Sequence, residues 1–308
     1  MKVMEFSEKT KMDYVTPEWA QYMSDNDFIS YMPSFTGGDY LHLFEERKCT
    51  DSSSNPPYDS MKYYLYKPGK INADRKYPLL IFIHGATNAL DGLKCAGHSG
   101  AEMFASPEYQ ERMGGGAFIL VPLANERRDE NGMLADSWCS EYVPLVKKMA
   151  DEITEEFRDN ISGVYILGGS SGGYMSWMMA ESYPDYFSGV MPASTDYVPP
   201  SDVLRKLCEN QVSIVFAVGK HDEFGCFSEK LTSRYEELKK YENIICFFPE
   251  WVRNGDKGIA SLYFGIEMGQ HCMITQIQSD LLYDDDTPYC EDLPDGVTGW
   301  IRKCEGIQ

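Results

Sequence analysis

One short segment of the sequence combines a possible serine nucleophile with the glycines that such a residue needs. The chain from residue 164 to residue 175 reads VYILGGSSGGYM, an apolar run followed by two serines between pairs of glycines. This pattern matches G-x-S-x-G, in which a strand reverses into a helix and leaves the serine on a strained turn. The glycines remove side chains that would collide across the turn, and the helix N-terminus offers free N–H groups to a developing oxyanion.

Two frames of the motif fit the same segment. The frame from Gly168 to Gly172 makes Ser170 the nucleophile, whereas the frame one residue later makes it Ser171. Because Leu167 is the last apolar residue of the strand and the nucleophile follows the strand closely, we predict Ser170. The alternative is a Gly/Ser-rich turn without catalysis, or one that binds phosphate, although a phosphate loop typically carries a lysine that this segment lacks.

A serine nucleophile needs a general base, and the sequence has five histidines, at positions 42, 84, 98, 221 and 271. For this motif the chain order of the triad is serine, then Asp or Glu, then histidine. His271 is the histidine that follows both Ser170 and an acid at the end of a later strand, so we predict His271 as the base. His84 directly ends an apolar run, and we expect it to brace the loop that follows.

The acid of such a triad follows a later strand and holds the histidine in the correct tautomer. The apolar run 214–218 leads into the residues GKHDE, which places Asp222 where the strand emerges. We therefore predict Asp222 as the triad acid. Glu223 beside it and Asp196, which follows the preceding strand, are the alternatives that the sequence leaves open.

An oxyanion hole needs two backbone N–H donors aimed at one point. The first is expected from Ser171, the residue after the nucleophile. The second is expected from the loop after the apolar run 79–83, which reads HGATN. Gly85 allows the chain to turn there, and Ala86 then aims its N–H at the site.

Short continuous apolar runs mark the strands that must position these residues. The runs lie at 61–66, 79–83, 117–121, 164–167, 189–191, 214–218 and 244–248. Residues 142–157 repeat their apolar side chains at steps of three and four, which predicts an amphipathic helix, and residues 233–241 predict a second one. Strands that alternate with helices predict an α/β fold with a mostly parallel central sheet and helices on both faces. Ligands then bind beyond the carboxyl ends of the strands.

The charge balance and the cysteines limit the possible partners. The 308 residues include 28 Lys and Arg against 48 Asp and Glu, which gives a formal charge of −20. Nucleic acids and anionic membranes are not expected as partners, because both are bound by clustered Lys and Arg. The given sequence has no apolar run of signal-peptide or membrane-span length, so we expect a cytoplasmic protein. Nine widely spaced cysteines without a C-x-x-C pair predict reduced thiols rather than a metal or disulfide framework.

Several motifs together resemble the α/β-hydrolase superfamily. They are YLYKP at 64–68, YPLLIFIHG at 77–85, GGSSGG at 168–173 and YPDYF at 183–187. More narrowly, the sequence is similar to the esterase group that contains polyhydroxybutyrate-depolymerase-like, feruloyl-esterase-like and "predicted peptidase" hydrolases. The resemblance supports Ser170 as the nucleophile and implies that the chemistry needs no metal or organic cofactor. Ser171 departs from the Ala or Met that is more usual after the nucleophile in that group.

The resemblance covers residues 61–282 and sets the expected domain boundaries. We predict that residues 1–60 form an N-terminal extension packed on the domain, and that residues 61–308 form an α/β-hydrolase catalytic domain. Residues 1–60 and the tail after Tyr283 match no pattern that we can assign.

The motifs together predict a serine carboxylesterase that hydrolyses a small or aryl ester through an acyl-enzyme. Trp138 and Tyr174 are the candidates for lining its substrate pocket. A serine peptidase or amidase and an acyltransferase use the same triad, so the sequence does not separate them. A non-catalytic binding module on the same fold is the alternative from a different class of function; it predicts a missing triad member, and the sequence supplies all three.

Overall fold

The core of the fold is one eight-stranded sheet, seen in a computed structural model of the chain. The structure describes residues 28–29, 38–98, 100–253, 259–260, 270–271, 273, 277, 279–283 and 285–307. Most of the predicted extension, at residues 1–27 and 30–37, therefore lies outside the described residues.

The described strands are numbered here in chain order. They are β1 Phe28–Ile29, β2 Glu45–Thr50, β3 Ser60–Tyr66, β4 Tyr77–Ile83, β5 Phe118–Leu123, β6 Arg127–Arg128, β7 Leu134–Ala135, β8 Ile161–Gly169, β9 Gly189–Ala193, β10 Ser213–Ala217, β11 Ile244–Phe247 and β12 Ile259–Ala260. Across the main sheet the order is β11-β10-β9-β8-β4-β5-β3-β2. Strands β4, β5 and β8 to β11 run parallel, whereas β3 is antiparallel to both β5 and β2. The carboxyl ends of the parallel strands therefore meet at one edge of the sheet.

The described helices cover both faces of this sheet. They are α1 Cys95–His98, α2 Ala101–Phe104, α3 Pro107–Arg112, α4 Val143–Glu156, α5 Ser171–Ser182, α6 Ser201–Glu209, α7 Glu229–Thr232, α8 Tyr235–Leu238 and α9 Gly296–Cys304, with 3-10 turns at Leu41–Leu43, Asn88–Lys94 and Ser140–Tyr142. None of these helices has the length and apolar character that crossing a membrane requires.

Two apolar layers cover the sheet, one on each face, so both faces are buried. In β4, Ile81 belongs to the layer beneath α4, α5 and α6, whereas Leu80 and Phe82 belong to the layer beneath α2, α3 and α9. Successive side chains of a strand point to opposite faces, so a strand covered on both sides is apolar at every position. All seven residues of β4 are buried accordingly. The predicted α/β class, with a mostly parallel sheet and helices on both faces, is confirmed.

The sheet begins earlier in the chain than the sequence indicated. Strand β2 lies inside the predicted extension, yet it pairs along its full length with β3. It reads EERKCT, and only Cys49 of its six residues is buried. A solvated edge strand of this kind carries charged side chains instead of an apolar run, and it therefore gave no signal. The predicted helix 233–241 is also shorter than expected, since its helical part is confined to α8.

Helix α5 packs unusually close to the sheet, because glycines line the contact. A Cβ atom on Gly172 would meet the carbonyl oxygens of Ile83 and His84, and one on Gly173 would meet the carbonyl oxygen of Ala193. These neighbours are backbone atoms of adjacent strands, which have no freedom to move aside. The N-terminus of α5 is thereby held directly against the carboxyl ends of β4, β8 and β9.

We predict that Gly173→Ala destabilises the protein and that Gly169→Ala does not. The added methyl at position 173 would press on the Ala193 carbonyl, an overpacking that typically costs about 1–3 kcal/mol. The methyl at position 169 would meet nothing within 4 Å. Denaturant unfolding of the two variants and the parent protein measures the difference. Equal free energies of unfolding for the two variants would show that the helix does not depend on this close approach.

Candidate active site

Ser170 occupies the turn between β8, which ends at Gly169, and α5, which begins at Ser171. Its backbone has φ 60° and ψ −124°, a region that residues other than glycine rarely adopt. The N–H of Ser170 donates to the Ala193 carbonyl at 3.0 Å, and its own carbonyl accepts the N–H of Tyr174 at 3.1 Å. The peptide groups before and after the Ser170 Cα are therefore both fixed, and they hold the Ser170 side chain at the strand-to-helix turn. Ser171, the alternative nucleophile, is the first helical residue.

The loop after β4 lies against this turn. A Cβ on Gly85 would lie 3.7 Å from the Ser170 Cβ and from the Gly169 carbonyl oxygen, which is van der Waals contact distance, so the two loops are direct neighbours. The N–H of Gly85 donates to Asn88 Oδ1 at 3.1 Å, which closes the loop on itself. Within the described part of the chain, the N–H groups of Ala86 and Ser171 have no acceptor. These are the two donors that the sequence predicted for an oxyanion hole.

His84 orients one of these two donors. Its Nε2 accepts the N–H of Ala124 at 3.1 Å, which leaves Nδ1–H to donate to the Gly85 carbonyl at 2.7 Å. The C=O and N–H of one trans peptide unit point in opposite directions. Holding the Gly85 carbonyl therefore turns the Ala86 N–H the other way. His84 is completely buried, and burial lowers its pKa to about 4, so the ring is neutral at pH 7 and acts as the brace that we expected.

Glu126 holds the same loop from its other end, a role that no sequence pattern indicated. Its carboxylate accepts the N–H of Ala89 at 3.1 Å and the hydroxyl of Ser137 at 2.7 Å. Burial raises the pKa of Glu126, and these hydrogen bonds oppose the rise. The loop that carries Ala86 is thus fixed at both ends by buried side chains.

Asp222 and His271 form a buried pair. The Nδ1 atom of His271 lies 2.8 Å from Asp222 Oδ2. The other oxygen, Oδ1, accepts the N–H of Phe224 at 2.9 Å and faces that of Cys226 at 3.4 Å, so the turn that follows Asp222 fixes the carboxylate. In this geometry the ring proton lies on Nδ1, facing Asp222. Nε2 then carries no proton and is available as a base. Asp196, an alternative acid, pairs with Lys230 at 3.1 Å and accepts the Ser228 hydroxyl at 3.4 Å.

Glu223, the other alternative acid, contacts the backbone of the histidine and not its ring. Its carboxylate accepts the N–H of Gln270 at 3.0 Å and the N–H of His271 at 2.7 Å. The Ser194 hydroxyl donates to the carbonyl of His271, so the residue is held on both sides of its Cα. Burial raises the pKa of Glu223 to about 7, although the hydrogen bonds from the backbone oppose this rise.

The three loops that carry these groups are neighbours at one edge of the sheet. Ser170 donates to the carbonyl of Ala193, and the next residue, Ser194, binds the backbone of His271. The predicted nucleophile and the predicted base therefore flank the same two residues at the end of β9. A serine on a strained turn, a histidine with an acid partner and two free amides are the components of acyl-transfer chemistry.

Three aromatic side chains lie near this edge of the sheet, two of them exposed and one buried. Phe224 is 62% exposed, and its ring centroid lies 4.5 Å from that of His271. Tyr174 is 39% exposed and packs edge-on against Tyr197 at 5.0 Å. Trp138 is buried instead, and its Nε1–H donates to the His84 carbonyl at 3.0 Å. Trp138 thus lies beneath the Ala86 loop, Tyr174 remains a candidate pocket residue, and Phe224 is an exposed aromatic that the sequence did not single out.

We predict that the ring of His84 does not titrate between about pH 5.5 and pH 8, because burial favours its neutral form. The measurement is a proton NMR titration of the imidazole carbon-bound hydrogens, with the His84 signal assigned from its loss in His84→Gln. A titration near the ordinary value of about 6.5 would contradict the bracing geometry.

We predict a pH-dependent effect of Glu223→Gln on stability. The folded-state pKa of about 7 exceeds the ordinary value of 4.5, so the contribution of Glu223 is complete below pH 4.5 and is lost as the pH rises through 7. Glutamine is neutral throughout, so the loss of unfolding free energy on Glu223→Gln is larger near about pH 5 than near about pH 8.

Denaturant unfolding at the two pH values checks this, with Glu46→Gln as the control. Glu46 is an exposed carboxylate whose pKa is lowered by Lys62, so it is ionised at both pH values and the effect of its substitution is flat over this range. If the effect of Glu223→Gln on the free energy of unfolding were also the same at both pH values, the pKa of Glu223 would not be raised in the folded protein.

Comparisons with known proteins support the fold. Residues 140–251, less than half of the chain, match the model of the Prolyl oligopeptidase family. No curated protein matches the sequence significantly. A thermostable esterase of known structure superposes with a TM-score of 0.57 at 20% identity, over 78% of this chain. The match spans 61% of the length of that esterase.

A second structure leads to the same conclusion. It is a serine-to-alanine mutant of the feruloyl esterase module from Clostridium thermocellum, complexed with sinapinate, with a TM-score of 0.52 at 11% identity. The match covers 83% of this chain and 95% of that module. Identities this low report on architecture and not on substrate. Together with the strand order and the helices on both faces of the sheet, they show that this chain has the α/β-hydrolase fold.

Proposed function

We propose that the protein is a serine carboxylesterase that hydrolyses a small or aryl ester through an acyl-enzyme. The observation that carries the proposal is the buried Asp222–His271 pair on a loop adjoining the strained turn at Ser170. A solvated loop carboxylate would not need burial against a histidine ring, and Ser170 combines φ 60° with ψ −124°, a backbone region that residues other than glycine rarely adopt.

The first step of the proposed mechanism forms the acyl-enzyme. Nδ1–H of His271 donates to Asp222, so Nε2 takes the hydroxyl proton of Ser170 as its oxygen attacks the ester carbonyl. The carbonyl oxygen becomes an oxyanion, which the N–H groups of Ala86 and Ser171 stabilise. Asp222 stabilises the imidazolium that forms. The alcohol then leaves with the proton from His271 Nε2.

The second step repeats this chemistry with water. His271 takes a proton from water, whose oxygen attacks the acyl carbonyl, and the same two amides hold the second oxyanion. The acid is released as His271 returns the proton to Ser170. Since both steps use one histidine and one oxyanion site, an error in the position of either group slows both.

The surroundings of the site favour an uncharged substrate with an apolar part. Phe224 and Tyr174 expose aromatic surface beside the base and just after the nucleophile, and exposed aromatic side chains of this kind bind apolar groups. The formal charge of −20 disfavours anionic substrates. A small-molecule ester as the partner, the absence of nucleic-acid and membrane partners, and a cytoplasmic location stay predictions.

A peptidase is the second candidate, because the family whose model matches residues 140–251 is the Prolyl oligopeptidase family. An amide differs from an ester in that its leaving amine must be protonated before it departs. A panel of aryl esters and N-acyl peptide amides separates the two activities. Turnover that rises with added alcohol would instead indicate an acyltransferase.

We expect that Ser170→Ala abolishes covalent labelling by a fluorophosphonate probe and lowers ester turnover at least about a thousandfold. Ser171→Ala is the matched control, because it removes the neighbouring hydroxyl but keeps the backbone N–H. It should retain labelling within about tenfold, since the amide is the expected donor. The readouts are gel fluorescence after labelling and hydrolysis of a p-nitrophenyl ester.

The opposite pattern, in which only Ser171→Ala loses labelling, would reassign the nucleophile to the other frame of the motif. Absence of labelling in the folded parent protein would favour the non-catalytic binding module.

A further inference from the structure

A free thiol adjoins the Asp222–His271 pair and has no part in the proposed mechanism. The Sγ atom of Cys226 lies 3.8 Å from His271 Nδ1 and 3.3 Å from the carbonyl oxygen of Ser194. Cys226 is not in a disulfide. One potential ligand atom each from Asp222, Cys226 and His271 lies within 4.8 Å of the other two.

We propose that Asp222, Cys226 and His271 form an inhibitory binding site for one soft divalent cation, Zn²⁺ or Cd²⁺. Binding itself does not depend on the function proposed above, whereas inhibition rests on it, because the ion would occupy the nitrogen that orients the base.

The ligand set has the chemistry that Zn²⁺ selects. Thiolate, imidazole and carboxylate are its usual ligands, and three protein ligands with an open fourth position are a common arrangement. Around one tetrahedral Zn²⁺, ligand atoms lie about 3.3–3.6 Å apart. The observed separations of 2.8 Å and 3.8 Å from Nδ1 are within about half an ångström of that range. The ion would replace the proton between Nδ1 and Oδ2.

The loop geometry already brings two of the ligands together. Asp222 and Cys226 are four residues apart on the turn whose N–H groups face Oδ1 of Asp222. Oδ1 therefore keeps the turn in place, while Oδ2 and the thiol both face the histidine ring. Because the three ligand atoms already lie within 4.8 Å of one another, we expect side-chain shifts to bring them around one cation.

Charge and proton balance are satisfied when the ion binds. The thiol of Cys226 releases one proton, and the proton of His271 moves from Nδ1 to Nε2 by exchange with solvent. Thiolate and carboxylate together carry two negative charges, which balance the two positive charges of the ion in a buried place. With Nε2 protonated and Nδ1 bound to metal, His271 no longer accepts the proton of Ser170.

The direct test is Cd²⁺ binding to the full chain, followed by the ultraviolet absorption of the Cd²⁺–thiolate bond. We expect Cys226→Ala to lose about one thiolate equivalent of this absorption, because each bound cysteine contributes separately. Cys304→Ala removes an exposed thiol on α9 and serves as the matched control. Mg²⁺ should have no effect, because it prefers oxygen ligands.

The functional test is the rate of fluorophosphonate labelling in Zn²⁺, each protein being compared with its own rate in a chelator. We expect half-inhibition of Cys226→Ala to require at least about tenfold more Zn²⁺ than the parent protein, and Cys304→Ala to behave like the parent. Cys226→Ser, which keeps the size of the side chain, replaces Cys226→Ala if the latter does not fold.

Equal sensitivity of the parent and the Cys226 variants, or unchanged Cd²⁺ absorption, would overturn the proposal. If the parent protein takes no label at all, the proposed function fails, and the Cd²⁺ absorption alone still decides whether the metal site exists.

Discussion

The reversal of the chain at Ser170 is the constraint on which the rest of the site depends. A non-glycine residue at φ 60° costs about 1–3 kcal/mol, and it persists only where the surroundings hold it. Here two hydrogen bonds fix the peptide groups of Ser170, and glycines at 172 and 173 let α5 approach the backbone of β4 and β9. The same approach places the amide of Ser171 beside the loop of Ala86. The close approach of α5 therefore accounts for both the strained turn at Ser170 and the place of the Ser171 amide, whereas His84 and Glu126 hold the loop of Ala86.

Three carboxylates at this edge of the sheet have three separate tasks. Asp222 accepts from the histidine ring, Glu223 accepts from the histidine backbone, and Glu126 accepts from the loop that carries Ala86. Burial raises the pKa of Glu223 and Glu126, because it disfavours the charged form, and the hydrogen bonds that the two carboxylates accept oppose the rise. The loops of the candidate site thus depend on side-chain carboxylates that accept from backbone N–H groups, in addition to the sheet itself.

The sequence was informative where one physical requirement acts alone. Strands such as β4 are buried on both faces, so they must be apolar throughout and are recognised as continuous runs. Ser170, Asp222 and His271 were predicted from the order of their types along the chain and from their places after strands. The structure brings Asp222 and His271 together and places Ser170 on the adjoining turn. The roles of Glu126 and Glu223 depend on which backbone N–H groups the packed loops present, and no local pattern encodes that. Trp138 was a pocket candidate by residue type, whereas its burial depends on the loop above it.

The turn after Asp222 couples the orientation of His271 to the position of Phe224. One carboxylate orients His271 through Oδ2, and through Oδ1 it holds the backbone N–H of Phe224, whose ring is exposed beside that histidine. A shift of the backbone at position 224 would therefore also disturb the Asp222–His271 pair. Under the proposed function, exchanging the side chain of residue 224 would alter the surface beside His271 and leave the turn intact, whereas an insertion or deletion in the turn would displace Asp222 and His271 as well.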